Sequence, residues 1–106
     1  MRLTPLTYEI LVVLADEPGH GYGTLKEIER HGGVVPSTGA LYMALQRMVE
    51  EGLLEEVSTP PDAEDSRRRY YRVTASGRTA ARRETVRLAA LVERARGKNL
   101  LAGEPA

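Results

Sequence analysis

Ser37, Thr38, Tyr42, Gln46 and Arg47 are the residues whose types and spacing point most directly to chemistry. From Ser37 to Gly52, Leu41, Leu45 and Met48 recur at helical spacing and form a stripe that must be buried, so those five side chains point away from it. Hydroxyls and an aromatic at the N-terminal end, with an amide and a guanidinium behind them, reach phosphates and base edges when the start of a helix enters a DNA major groove. The chemistry is recognition. Ser37 follows Pro36 and can cap the first turn; Gly52 can take the left-handed conformation that stops the helix, and Leu53 can fold back onto the last turn. The same segment also fits a core-packing helix whose outer face merely meets water, and the rest of the chain must decide between the two.

The totals narrow the field. A chain of 106 residues is expected to form one domain, small enough that a second copy sharing its apolar surface would help. It has no cysteine, which removes disulfides, thiolate metal sites and a thiol nucleophile, and makes a reducing cytoplasm the expected compartment. His20 and His31 are the only imidazoles, and no serine lies in a Gly-x-Ser-x-Gly context. Neither a nucleophile with its base nor a His-rich metal centre can be assembled, so the expectation is a non-enzyme without a cofactor. The longest apolar block, Ile10 to Ala15, is far too short to cross a membrane. Formal charge is zero, yet residues 1–56 carry four Lys or Arg against nine Asp or Glu, and residues 57–106 carry eleven against six. A basic surface must come from the second half.

The elements that position the recognition helix follow from local signals. Thr4-Pro5 opens a first helix running to about Asp16, with Leu6, Ile10, Val13 and Leu14 as its buried stripe. Gly19-His20-Gly21-Tyr22-Gly23 lacks the preceding strand and following Gly-Lys-Ser/Thr of a nucleotide loop, and reads as a tight turn. A second helix, about Tyr22 to His31, places Tyr22 and Lys26 one turn apart, where both can reach a phosphate or simply pack on the surface. A short Gly-containing connection then leads to the recognition helix, which is the helix-turn-helix arrangement. Leu53 to Val57 and Arg67 to Val73 read as two strands of a hairpin with an eight-residue tip, a wing. Arg67, Arg68 and Arg69 lie at its base with alternating directions, either as phosphate contacts or as a charge run neutralised by Asp62, Glu64 and Asp65.

Thr74 caps a last helix, about 75–98, in which Ala81, Thr85, Leu88, Val92 and Ala95 follow the 4-3-4-3 spacing of a helix that packs along another helix. The seam is expected to meet its own copy or the first helix of a second subunit, giving a homodimer; the alternative is that it folds back on its own domain. The expected organisation is a winged-helix DNA-binding domain over 1–74, a dimerisation helix over 75–98 and a flexible tail over 99–106, in a mainly α fold with one small β-hairpin.

Taken together, Leu6 to Leu11, Gly19 to Gly23, Ser37 to Tyr42 with Leu45 and Arg47, Gly52-Leu53-Leu54, and Arg69 to Thr74 with Gly77 resemble the PadR-like transcriptional regulators, winged-helix DNA-binding proteins of bacteria and archaea. The resemblance covers roughly residues 3 to 80. It implies a dimeric repressor whose recognition helices enter successive major grooves of a palindromic operator while the wings touch flanking backbone. It places Tyr22, Thr38, Gly39 and Tyr42 near DNA and makes the hairpin arginines wing contacts. The single C-terminal helix is similar to the compact subgroup, some of whose members take a small aromatic effector between subunits, although this chain has no Trp to stack on one. The competing reading is a winged-helix module for protein contacts alone. A DNA reader needs the wing arginines and the start of the recognition helix on one face.

Overall fold

The computed structural model describes residues 3–101. In chain order these form α1 (Pro5–Val13), β1 (Gly19–His20), α2 (Gly21–Arg30), α3 (Thr38–Glu50), β2 (Leu54–Val57), β3 (Tyr70–Val73) and α4 (Ala75–Arg96). Each helix starts at a side-chain cap. Thr4, Ser37 and Thr74 accept the backbone N–H of Thr7, Ala40 and Gly77 in turn, while His20 caps α2 by accepting from Gly23. Each cap satisfies a backbone donor that the first helical turn leaves without a partner.

Helix α3 ends as the sequence leads one to expect. Gly52 takes a φ of 77°, and the Leu53 N–H returns to the Met48 carbonyl at 2.9 Å, which closes the last turn and sends the chain into β2. The core is continuous. Ile10 and Leu11 from α1, Leu14 at its C-terminal cap, Ile28 from α2, Leu41, Leu45 and Met48 from α3, Leu54 from β2 and Tyr71 from β3 are all buried. Burying a side chain of this kind contributes roughly 1.5–3 kcal/mol, so this cluster fixes the angle at which α3 is presented.

Four expectations need correcting. Helix α1 stops at Val13, three residues before Asp16. The glycine-rich segment is more than a turn, because Gly19 and His20 form a strand that pairs antiparallel with Tyr71 and Tyr70. The sheet is therefore three-stranded, in the order β1-β3-β2, and the hairpin is pinned to the start of α2. Strand β3 begins at Tyr70 and not at Arg67. The connection, 58–69, is longer than the expected tip and is held by its own bonds, among them Thr59 Oγ1 donating to the Arg68 carbonyl at 3.0 Å.

Helix α4 lies partly on its own domain. Thr85 Oγ1 and Tyr8 Oη are 2.7 Å apart, and Arg78 donates to the Ala15 carbonyl at 2.7 Å, which ties the first half of α4 to α1 and to the segment that follows it. Glu84 is buried there and takes a two-pronged pair from Arg87, at 3.1 and 2.6 Å. Further along, Leu91 and Val92 are exposed. Of the expected tail, residues 102–106 lie outside the described residues.

Candidate nucleic-acid interface

The outer face of α3 carries the polar residues that its sequence pattern requires, with Met43 exposed among them. Ser37, Thr38, Gly39, Tyr42, Gln46 and Arg47 are all exposed, while Leu41, Leu45 and Met48 are buried beneath them. Ser37 has its Oγ turned to the Ala40 N–H at 3.1 Å, so it shapes the helix start as well as facing outward. Tyr42 leans against the start of α2. A Cβ on Gly21 would lie 2.7 Å from the Tyr42 ring, so glycine is what permits that approach.

The wing arginines converge with this face. Tyr42 and Gln46 of α3, Gly21 and His20 of the β1–α2 junction, and Arg67, Arg68 and Arg69 all line one open cleft of about 720 Å³. The alternation expected of a strand does not separate the arginines, because all three precede β3. A turn sets their directions instead, with Asp65 accepting the Arg67 backbone N–H at 2.9 Å and the Arg68 N–H reaching the Asp65 carbonyl at 3.1 Å.

Their charges are not equally available. Arg67 pairs with Asp65, and its side-chain and backbone hydrogen bonds hold that carboxyl below the usual carboxylate range. Arg69 stands 4.0 Å from Glu56, and Arg72 pairs with Glu55. Exposed pairs of this kind are held weakly and yield to a phosphate at little cost. Arg68 turns inward, over the Tyr22 ring at 5.3 Å and toward His20 Nε2 at 3.2 Å. Lys26 stands over the same Tyr22 ring at 5.4 Å, so the α2 pair read from spacing is one unit with the wing.

One residue of this region, His20, was not legible as a site residue. His20 caps α2, stacks on Tyr22 with centroids 6.4 Å apart, and meets the Tyr70 ring edge-on at 5.2 Å. Burial, then Arg68, pushes its pKa below the ordinary histidine value, and Glu64 opposes the shift. Its only sequence signal was a ring between glycines at a helix start. The seam residues of α4 are separated in space: Ala81 and Thr85 sit toward α1, whereas Val92 is 49 % exposed.

An exposed polar helix face joined to an arginine-bearing wing is the geometry of a winged-helix DNA reader, and the family model for PadR-like transcriptional regulators matches residues 10–83. The chain belongs to the PadR-like family. PadR-like proteins are transcriptional regulators and not enzymes.

Solved structures carry the same fold. A PadR family regulator of Clostridium difficile superposes with a TM-score of 0.78 at 20 % identity, over 89 % of this chain and 97 % of that one. A PadR-like regulator of Bacillus cereus gives 0.76 at 27 %, over 93 % of each chain. Bacillus subtilis PadR in complex with operator DNA gives 0.64 at 20 %, over 74 % of this chain and 45 % of that one. Among curated proteins, carbohydrate sulfotransferase 14 of Danio rerio is 44 % identical over 59 residues, 51 % of this chain. The match spans only 16 % of that enzyme, too little to bring its activity across. Among the described residues, no helix is long and apolar enough to cross a membrane.

Proposed function

We propose that this PadR-like chain is a homodimeric repressor that binds a palindromic operator, with α3 entering the major groove and the wing arginines touching flanking phosphates. The observation that carries this reading is the shared cleft, in which Tyr42 and Gln46 meet Arg67, Arg68 and Arg69. Base-edge groups and phosphate groups must address one duplex together, because phosphate contacts set the register in which base contacts read. The solved complex of Bacillus subtilis PadR with operator DNA supports the same use of the fold.

Dimerisation is proposed through α4. Its exposed Val86, Leu91 and Val92 offer apolar surface that the single chain leaves uncovered. Beside it, Leu3, Pro5, Tyr8, Val12 and Leu88, with Glu9, Glu84 and Arg87, line a groove of about 630 Å³ between α1 and α4. A second copy's α4 fits that description, and a small aromatic effector would bind where the two copies meet.

The test is a titration of fluorescent duplexes retained from genomic fragments. Tyr42→Ala and Arg47→Ala are each expected to weaken binding about tenfold or more without changing the unfolding midpoint. Replacing Arg67 and Arg69 together should flatten the salt dependence by about two units of slope. Variants that bind like the parent, at every salt concentration, would remove α3 and the wing from the interface.

A further inference from the structure

At the junction of β1 and α2, the His20 ring faces more hydrogen-bond donors than it has lone pairs. Its Nδ1 accepts the Gly23 N–H at 3.0 Å, and a backbone N–H can only donate. A neutral imidazole that accepts at Nδ1 carries its proton on Nε2. That Nε2 nevertheless stands 3.2 Å from Arg68 Nη1, and a guanidinium has no acceptor. Two N–H groups therefore point at each other. The other tautomer only moves the conflict to Gly23, and a doubly protonated ring conflicts with both.

The surroundings reinforce the mismatch. The charged groups acting on the ring are Arg68 and Glu64, and the rings packed on it are Tyr22 and Tyr70. Burial and Arg68 keep the imidazole neutral, which preserves the Nε2 proton. Arg67, Arg69 and Arg72 each have a carboxylate within 4.0 Å, whereas among the described residues none lies that close to the Arg68 guanidinium, whose charge reaches Asp65 only at longer range. Glu64 and Asp65 act on this pair through space, but no anionic group accepts a hydrogen bond from it among the described residues, and both side chains line the open cleft beside α3.

We propose that His20 and Arg68 form a seat for one backbone phosphate of duplex DNA. The imidazole Nε2–H and the guanidinium donate to its oxygens, Tyr22 forms the floor, and Lys26 adds positive charge from across that ring. The proposal rests on the DNA-binding reading and adds to it a contact outside α3 and the wing strands. Because His20 pairs with Tyr70, a phosphate held here fixes the wing relative to the start of α2, and so fixes the depth at which α3 docks.

His20→Asn separates capping from phosphate binding. Asparagine is a strong N-cap whose side-chain oxygen can take the Gly23 N–H, but it has no second nitrogen directed at Arg68. Affinity for a duplex that the parent protein retains is expected to fall about tenfold. The unfolding midpoint and the salt slope should stay unchanged, because a neutral donor displaces no counterion. Arg68→Ala should weaken binding and also lower the slope by about 0.9. In the double variant the losses should fall short of multiplying, since the two donors share one acceptor. If His20→Asn binds the duplex like the parent protein, the seat is wrong while the DNA-binding reading stands. A parent protein that retains no duplex overturns both. Inorganic phosphate serves as a control on the His20 Nε2 resonance, which should move with duplex. Movement with millimolar phosphate but not with duplex would overturn the assignment to DNA.

Discussion

Helices α3 and α4 use the same amphipathic principle to different ends. Helix α3 buries Leu41, Ala44, Leu45 and Met48 inside its own domain, whereas α4, at 22 residues, buries only Gly77 and Glu84. The polar face of α3 leaves a surface suited to a charged, hydrogen-bonding partner. On α4 the exposed residues include Val86 at 70 % and Leu91 at 45 %, a surface suited to an apolar partner. A helix of that length spans roughly 33 Å, and it gives the molecule its elongated 52 × 26 × 23 Å shape. One chain thus completes the reading head, while the second half of α4 leaves Leu91 and Val92 exposed.

The largest expected effect tests that division through stability. Leu45→Ala should lower the urea-unfolding free energy by about 2–5 kcal/mol, the cost of a cavity at a fully buried position. Val92→Ala should change the stability of the dilute, monomeric chain by no more than about 0.5 kcal/mol. A loss at Val92 as large as that at Leu45 would mean that α4 is finished within the chain. Next comes assembly. Val92→Asp places a charge in the exposed seam and should convert dimers to monomers in sedimentation equilibrium while leaving helicity intact. An unchanged mass would move the interface off this helix face.

The smallest effect concerns His20, at the β1–α2 junction beside the reading head. The folded-state pKa of His20 lies below its ordinary value of 6.5, so the unfolded chain takes up the proton first as pH falls. The stabilisation is complete above that ordinary value and is lost as pH drops through the lower, folded value. The urea midpoint should therefore fall on acidification from about pH 7.5 to about pH 5, and fall less in His20→Asn. Equal slopes in the two proteins would remove His20 as the source.

What the sequence disclosed, and what it hid, follows the same physical lines. Caps at Thr4, Ser37 and Thr74, the stop at Gly52 and the buried stripe of α3 each rest on interactions within a few residues, and all were readable. Strand β1 was not, because two residues carry no periodicity, and its existence depends on Tyr70 and Tyr71 some fifty positions away. Histidine is an uncommon cap, so the role of His20 emerges only once Gly23, Arg68 and the tyrosines are assembled around it. The arginine run looked like strand because it adjoins Tyr70-Tyr71, yet the Asp65 side chain captures the Arg67 N–H and keeps that stretch as a turn. The spacing on α4 announced a helical partner without saying which one, and α1 of the same chain takes the first half of it.

The most direct test of the central claim is to sequence the DNA fragments that the purified protein retains from a random duplex pool. The expected result is enrichment of a palindrome whose half-sites are centred about one helical turn apart, roughly 10 base pairs, or a multiple of it. Retained fragments with no common motif, or with a single unpaired half-site, would contradict it.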